Sequence, residues 1–131
     1  MSYGSNSTYA TSAVKSVVDA WAAAKFTNSE LKTVDGYGAR LIKYDEYLAN
    51  CEEVEVETTD GPVTKNNPKY TWMYSSNYWY WTMSLYQDSS PMVWIVLSSG
   101  NMSHNGAGFN GIGNGGAVRT VINVYKSKIS S

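Results

Sequence analysis

Cysteine is nearly missing from this chain: Cys51 is the only one in 131 residues. An internal disulfide is therefore excluded, and the fold must hold by packing alone. Histidine is as scarce, with His104 alone. One of each removes most protein zinc sites and the Cys–His nucleophile pairs. Charge is thin as well. Charged residues make up 16%, ten Lys and Arg against eleven Asp and Glu, for a net charge of −1. With no basic excess there is no electrostatic footprint for nucleic acid, and no basic run for an anionic membrane. No apolar stretch approaches the length of a membrane span, so no membrane insertion is expected. Met1 is not followed by a charged-then-apolar secretory leader, which carries no weight on export. Phenylalanine occurs only twice, yet there are 11 Tyr and 5 Trp, and hydrophobic residues reach 43%. The length suits one domain, residues 1–131, with enough apolar content to close a core. Tyr and Trp join a large apolar face to a polar tip, which suits an aromatic core with wet tips and equally a recognition surface.

Residues 1–10 form a polar lead-in, with Thr8 or Thr11 able to cap a helix. Val14, Val17, Val18 and Trp21 then fall at the i, i+3, i+4, i+7 spacing of one helical face, with Ala-rich filler to Lys25. Gly36-Tyr37-Gly38 breaks the chain, and Ala39-Arg40-Leu41-Ile42 reads as a short buried strand. A second helix is expected from about Tyr44 to Asn50. In Glu53-Val54-Glu55-Val56-Glu57 the strict alternation argues for an edge strand or hairpin arm. Its glutamates are more cheaply explained as one solvated strand face than as a cation site. Asp60-Gly61-Pro62 and Asn66-Asn67-Pro68 read as turns.

From Tyr70 the character changes. Tyr78 to Trp81, Val93 to Leu97 and Val118 to Val124 are strand-like runs of β-branched and aromatic residues. Between the second and third lies a long connection, Ser98 to Gly116, with seven Gly and four Asn. A long aperiodic loop in a small domain is usually functional or disordered. Helices early and strands late give an α+β domain.

Several of these stretches, taken in order, resemble a known family. Gly38-Ala39-Arg40-Leu41-Ile42-Lys43-Tyr44-Asp45-Glu46-Tyr47 is similar to the strand-into-helix signature (Arg-Leu-Pro-Thr-x-x-Glu-Trp) of the C-type-lectin-like fold in its formylglycine-generating-enzyme branch. Trp72-Met73-Tyr74-Ser75-Ser76-Asn77-Tyr78-Trp79, Val93-Trp94-Ile95-Val96 and Gly116-Ala117-Val118-Arg119-Thr120-Val121-Ile122 resemble a related group of bacterial and phage domains. The likeness spans roughly residues 10–126, with Thr120 where proline is usual. It implies two helices flanking a twisted antiparallel sheet, with long loops that carry ligand contacts. Some members are variable proteins of diversity-generating retroelements, in which adenine-directed mutagenesis randomises asparagine codons. Asn101, Ser103, His104, Asn105, Gly106, Asn110 and Asn114 fit the residue set such mutagenesis yields, as would any ordinary polar loop.

The catalytic chemistry of that branch uses a cysteine pair to bind copper, and Cys51 stands alone, so no enzyme and no cofactor are expected. Cys51 reads as a small buried hydrophobe. The calcium-binding triplets of sugar-binding lectins are missing around Ser90-Pro91-Met92, so no metal is expected either. His104 has no nucleophile ordered beside it and reads as a loop contact. Arg40 and Arg119, charged residues in apolar surroundings, read as structural, held by an ion pair or by carbonyl contacts.

What remains is recognition. Alternation sends Tyr78 and Tyr80 to one face and Trp79 and Trp81 to the other. Trp79 and Trp94 match framework positions of the family and are assigned to the core. Tyr80, or Trp81 if the strand bulges, is then an exposed contact, joined by Met83, Tyr86, Gln87 and Asp88. Asn101, Ser103, His104, Asn105, Phe109, Asn110 and Asn114 complete the surface within an 80–116 contact region. Rigid aromatics among small polar residues suit a paratope for a protein or a surface glycan. The expected setting is extracellular, on a bacterial cell surface or phage particle, with oligomers possible. The rival reading is a pilus, coat or appendage subunit that uses the Tyr-rich face to pack against a neighbour.

Overall fold

The structure is a computed structural model and describes residues 1–27, 29–86, 91–107 and 116–125. Helix α1 covers Ala13–Lys25. Its cap is Ser12 rather than either threonine: the Ser12 hydroxyl accepts from the Lys15 N–H at 3.0 Å, satisfying one open donor of the first turn. Thr8 precedes a short 3-10 turn, Tyr9–Thr11, instead. Val14 and Val18 are fully buried, and Ala22 packs behind them. Val17 and Trp21, expected on the same face, are 44% and 37% exposed. The buried stripe follows the i, i+4, i+8 row alone, which is narrower than the spacing suggested.

Strand β1 (Ala39–Arg40) pairs antiparallel with β7 (Val121–Ile122), Ala39 opposite Ile122 and Arg40 opposite Val121. Leu41 and Ile42 continue buried beyond β1. Helix α2 (Tyr44–Ala49) follows, with Tyr47 buried and its hydroxyl donating to the Gly100 carbonyl at 2.5 Å. Strands β2 (Cys51–Thr58) and β3 (Gly61–Pro68) form a hairpin, in register from Cys51↔Pro68 to Thr58↔Gly61. The tip turns on Gly61, whose φ of 106° suits a residue without Cβ. Asn66-Asn67-Pro68 lies inside β3 and is not a turn, because the hairpin register carries the strand through it. Pro68 is tolerated at the end of an edge. Glu52, Glu53, Glu55 and Glu57 are exposed while Val54 and Val56 are half-buried, so the alternation is real but shallow.

The third sheet runs β4 (Tyr80–Leu85), β5 (Met92–Val96), β6 (Met102–Gly106), each antiparallel to its neighbour. An irregularity between Trp81 and Leu85 shifts the β4–β5 register. Strand β6 falls inside the stretch expected to be a loop; pairing with β5 from Met92↔Gly106 to Val96↔Met102 extends it despite its Ser, His and Asn content. The rest of that stretch, 108–115, lies outside the described residues.

This sheet divides two cores. On one side Tyr3, Tyr9, Val14, Val18, Leu41, Trp81, Val93 and Ile95 pack together; on the other, Ile42, Tyr47, Met73, Tyr80 and Val96. The expected alternation of 78 and 80 against 79 and 81 holds, since Tyr78 joins the second cluster and Trp79 the first. The polar lead-in is more than that. Tyr3 is fully buried, its N–H donates to the Ala107 carbonyl at 2.8 Å, and its ring meets Trp81 edge-on at 5.2 Å. Trp81 Nε1 donates to the Met1 carbonyl at 2.9 Å. The lead-in thus closes the first core.

Arg40 is 1% exposed and held as its ion-pair reading requires. Its Nη1 and Nη2 donate to Glu46 Oε1 and Oε2 at 2.5 and 2.7 Å, and Nη2 also reaches Asn123 Oδ1 at 3.0 Å. Glu46 Oε1 accepts the Lys43 N–H at 2.9 Å as well, so one carboxylate closes α2 and neutralises a buried guanidinium.

Candidate functional site

β4 is covered on both faces, and that settles where its aromatic residues go. Tyr80 is 3% exposed and its hydroxyl donates to the Met73 carbonyl; Trp81 is fully buried. The expectation that one of them is exposed is not met, because the strand runs between two cores rather than along one. Burial pushes the Tyr80 phenol up to about 12, partly opposed by the Arg119 guanidinium beside it. Met83 is half-buried and packs on the first core.

β5 has two half-buried positions, Met92 at its start and Trp94 at its centre. Val93 and Ile95 are buried, so the pleat turns Trp94 to the opposite face, where it is half-buried rather than in the core as expected. His104 lies directly across from Trp94 on β6. Tyr86, just past β4, meets the His104 ring at 4.0 Å and the Trp94 indole edge-on at 4.8 Å. From α2, Tyr44 stacks on Trp94 at 4.1 Å with 18° between the planes. The Tyr44 N–H donates to Ser84 Oγ at 3.0 Å, which fixes the helix start against β4. Four half-buried rings thus form a continuous ridge, Tyr44–Trp94–Tyr86–His104. Offset and edge-on aromatic contacts at such spacings hold rings rigidly.

The ridge borders a polar cleft of about 250 Å³ lined by Tyr44, Trp94, Asn101, Lys65 and Asn66 among others. Asn101 closes the turn into β6, its carbonyl accepting from the Leu97 N–H at 2.8 Å. Ser103 and Asn105 lie opposite Ile95 and Val93, hence on the sheet face away from the ridge. Of the expected contact residues, the structure brings Tyr86, His104 and Asn101 together. It sends Tyr80, Trp81 and Met83 inward and Ser103 and Asn105 to the other face. Gln87, Asp88, Phe109, Asn110 and Asn114 lie outside the described residues. Trp94 and Tyr44 are additions. The signal for Trp94 is its position between Val93 and Ile95; for Tyr44, nothing in the sequence links a helix start to a strand fifty residues on.

Chemically the ridge offers apolar ring faces beside amide and ammonium donors. Among the described residues no group of three or more His, Cys, Asp or Glu gathers to hold a metal ion. Cys51 is a free thiol, half-buried at the start of β2, its Sγ donating to the Tyr47 carbonyl at 3.3 Å. Burial raises its pKa, opposed by Lys69, which keeps it a thiol rather than a nucleophilic thiolate. No helix among the described residues is long and apolar enough to cross a membrane.

Among the described residues, two α-helices and three small antiparallel sheets define an α+β protein. Compared with protein-family models, with curated proteins and with solved structures, the chain matches none of them.

Proposed function

We propose that this protein is a non-catalytic ligand-binding module, of C-type-lectin-like architecture, that presents the Tyr44–Trp94–Tyr86–His104 ridge to a surface glycan or protein. The single observation that carries the reading is the ridge itself: four rings held half-exposed on a sheet face next to a cleft with Asn and Lys donors. Flat ring faces cover the apolar face of a sugar or a peptide side chain, and the cleft supplies hydrogen bonds to hydroxyls or amides. Fixing the rings on a sheet and a helix limits the ordering entropy lost on binding. A place on a bacterial surface or phage particle, and diversification at Asn101 and His104, belong to the same proposal. Those two residues lie at the ridge and cleft, where a change of side chain alters contacts without entering either core.

A binding screen tests it, using immobilised bacterial-surface glycans and cell-surface proteins. Hits should weaken on the order of 30-fold or more in Trp94→Ala and His104→Ala, as central aromatic anchors do. They should persist in Trp72→Ala, which removes an exposed indole elsewhere. A stable homo-oligomer in solution scattering, with the ridge buried between copies, would favour the packing-subunit role and overturn this one.

A further inference from the structure

The two arginines set in apolar surroundings end in opposite states. Among the described residues Arg40 has a carboxylate and Arg119 has none. No ion pair among the described residues includes Arg119, and its Nη1 is shut from solvent with no hydrogen-bond acceptor. Ala117 bridges to Tyr80, donating to the Trp79 carbonyl at 3.0 Å while its own carbonyl accepts from the Trp81 N–H at 3.2 Å. The guanidinium then lies over the Tyr80 ring, 4.8 Å from its centre. That ring contact and the hydrogen bonding of the guanidinium with the Tyr80 phenol offset part of the cost of a half-buried cation, but they leave Nη1 without an acceptor.

Beside it is a slot of about 90 Å³, lined by Ile42, Trp72, Tyr80, Arg119, Thr120 and Val121. Trp72 is 52% exposed, so the slot opens to solvent along that indole. The polar groups on its lining side chains are the guanidinium, the Thr120 hydroxyl, the Tyr80 phenol and the Trp72 indole N–H. We propose that this slot binds a carboxylate carried on a short apolar stem, with Arg119 pairing the carboxylate and Ile42, Val121 and Trp72 covering the stem. The planar guanidinium fork matches a carboxylate in two parallel bonds and is weakly hydrated, so it loses little on desolvation. A phosphate fits less well: it carries close to two charges, and the slot lining contains a single cation. The volume suits a branched group of a few heavy atoms, since one water needs only about 10–15 Å³ of such space. This slot uses none of the ridge residues, and the proposal stands apart from the role assigned to them.

The test is a titration of the protein with isovalerate, followed by NMR at the Trp72 indole N–H and the Thr120 and Val121 amides. Saturable shifts are expected with a midpoint on the order of millimolar, as suits so small a ligand. Added salt should weaken them, and the neutral isostere isovaleramide should give none at the same concentration. Arg119→Met should weaken binding by about tenfold or more, the ordinary loss for a charge-assisted pair. Trp72→Ala, at an exposed site, should fold and bind less tightly, while Trp94→Ala should bind as the parent does. Tighter binding of N-acetyl-glycyl-valine than of isovalerate points to a peptide terminus as the source of the carboxylate; the reverse order points to a free acid. Equal shifts with acid and amide, no saturation, or undiminished binding by folded Arg119→Met would overturn the proposal. The acid–amide contrast needs no variant, so it decides even if Arg119→Met fails to fold.

Discussion

Replacing Glu46 by glutamine removes one charge and almost no volume, which isolates what that charge does for Arg40. The Gln side-chain carbonyl can still accept the Lys43 N–H that Glu46 Oε1 now takes at 2.9 Å, so the start of α2 is kept. What changes is the environment of a guanidinium only 1% exposed. Its remaining acceptors are neutral: the Leu41 carbonyl at 3.2 Å and Asn123 Oδ1 at 3.0 Å. Breaking a buried pair costs about 3–5 kcal/mol; Glu46 keeps 37% of its side chain exposed, so water offsets part of the loss and the low end, about 3 kcal/mol, is expected. For a domain of this size that is a fall of roughly 10 °C in Tm. Urea unfolding followed by Trp fluorescence should show a lower midpoint at unchanged slope. Acid adds a second arm. Burial pushes the Glu46 carboxyl up, but hydrogen bonds from Arg40 and the Lys43 N–H and both charges outweigh it, and its pKa lies below the ordinary value. The stability it gives is therefore complete above the unfolded-state value, about 4.3, and is lost as pH falls through the depressed folded one. The gap between parent and Glu46→Gln should be full at neutral pH and close in acid. A cost under about 0.5 kcal/mol, or a gap that does not depend on pH, would refute the assignment of Glu46 as the counter-charge.

Alkali should act on different groups. Burial raises the Tyr80 phenol to about 12 and carries Tyr3, Tyr9 and Tyr47 higher still. Because these folded values are raised, the stability involved is full below about pH 10 and is lost as pH climbs above it. Absorbance titration should show these four ionising together with unfolding, after the exposed tyrosines; a single smooth titration near pH 10 would contradict their burial. Gly116→Ala should cost about 1–3 kcal/mol, since a Cβ there would come within 2.7 and 2.8 Å of Trp79 ring carbons and collide with Trp81 Nε1. A neutral result in urea unfolding would mean the indoles yield easily. Gly100→Ala should also destabilise, for its φ is 90° and a Cβ would stand 2.8 Å from Pro68 Cγ; an unchanged urea midpoint would dismiss that strain.

Local pattern was legible in the sequence where one face of an element is buried and the other is not. The Val14–Val18 row marked α1, and the alternation from Tyr78 to Trp81 put each ring on the side it occupies. That alternation could not reveal that both sides of β4 are covered, since a sheet buried on both faces is a property of its neighbours. Hence Tyr80, or Trp81 with a bulge, read as exposed when neither is. Strand β6 was hidden for a related reason: Met-Ser-His-Asn-Gly has little strand preference of its own, and its extension depends on hydrogen bonds to β5. Tyr3 gave no periodic signal, standing among Ser, Asn and Gly with the next aromatic, Tyr9, six residues on. Of the candidate site, His104, Tyr86 and Asn101 were visible as residue types in the right segments, whereas Tyr44 enters only through the packing of α2 on β4.

The pleat of β5 and β6 has a consequence for how this surface can change over generations. Val93 and Ile95 answer to the core, while Trp94, between them, and His104 across from it answer to whatever the outer face meets. Side chains at Trp94 and His104 can therefore be exchanged without entering the core that Val93 and Ile95 fill, whereas Val96 and Met102, next along the same face, are held by the second core.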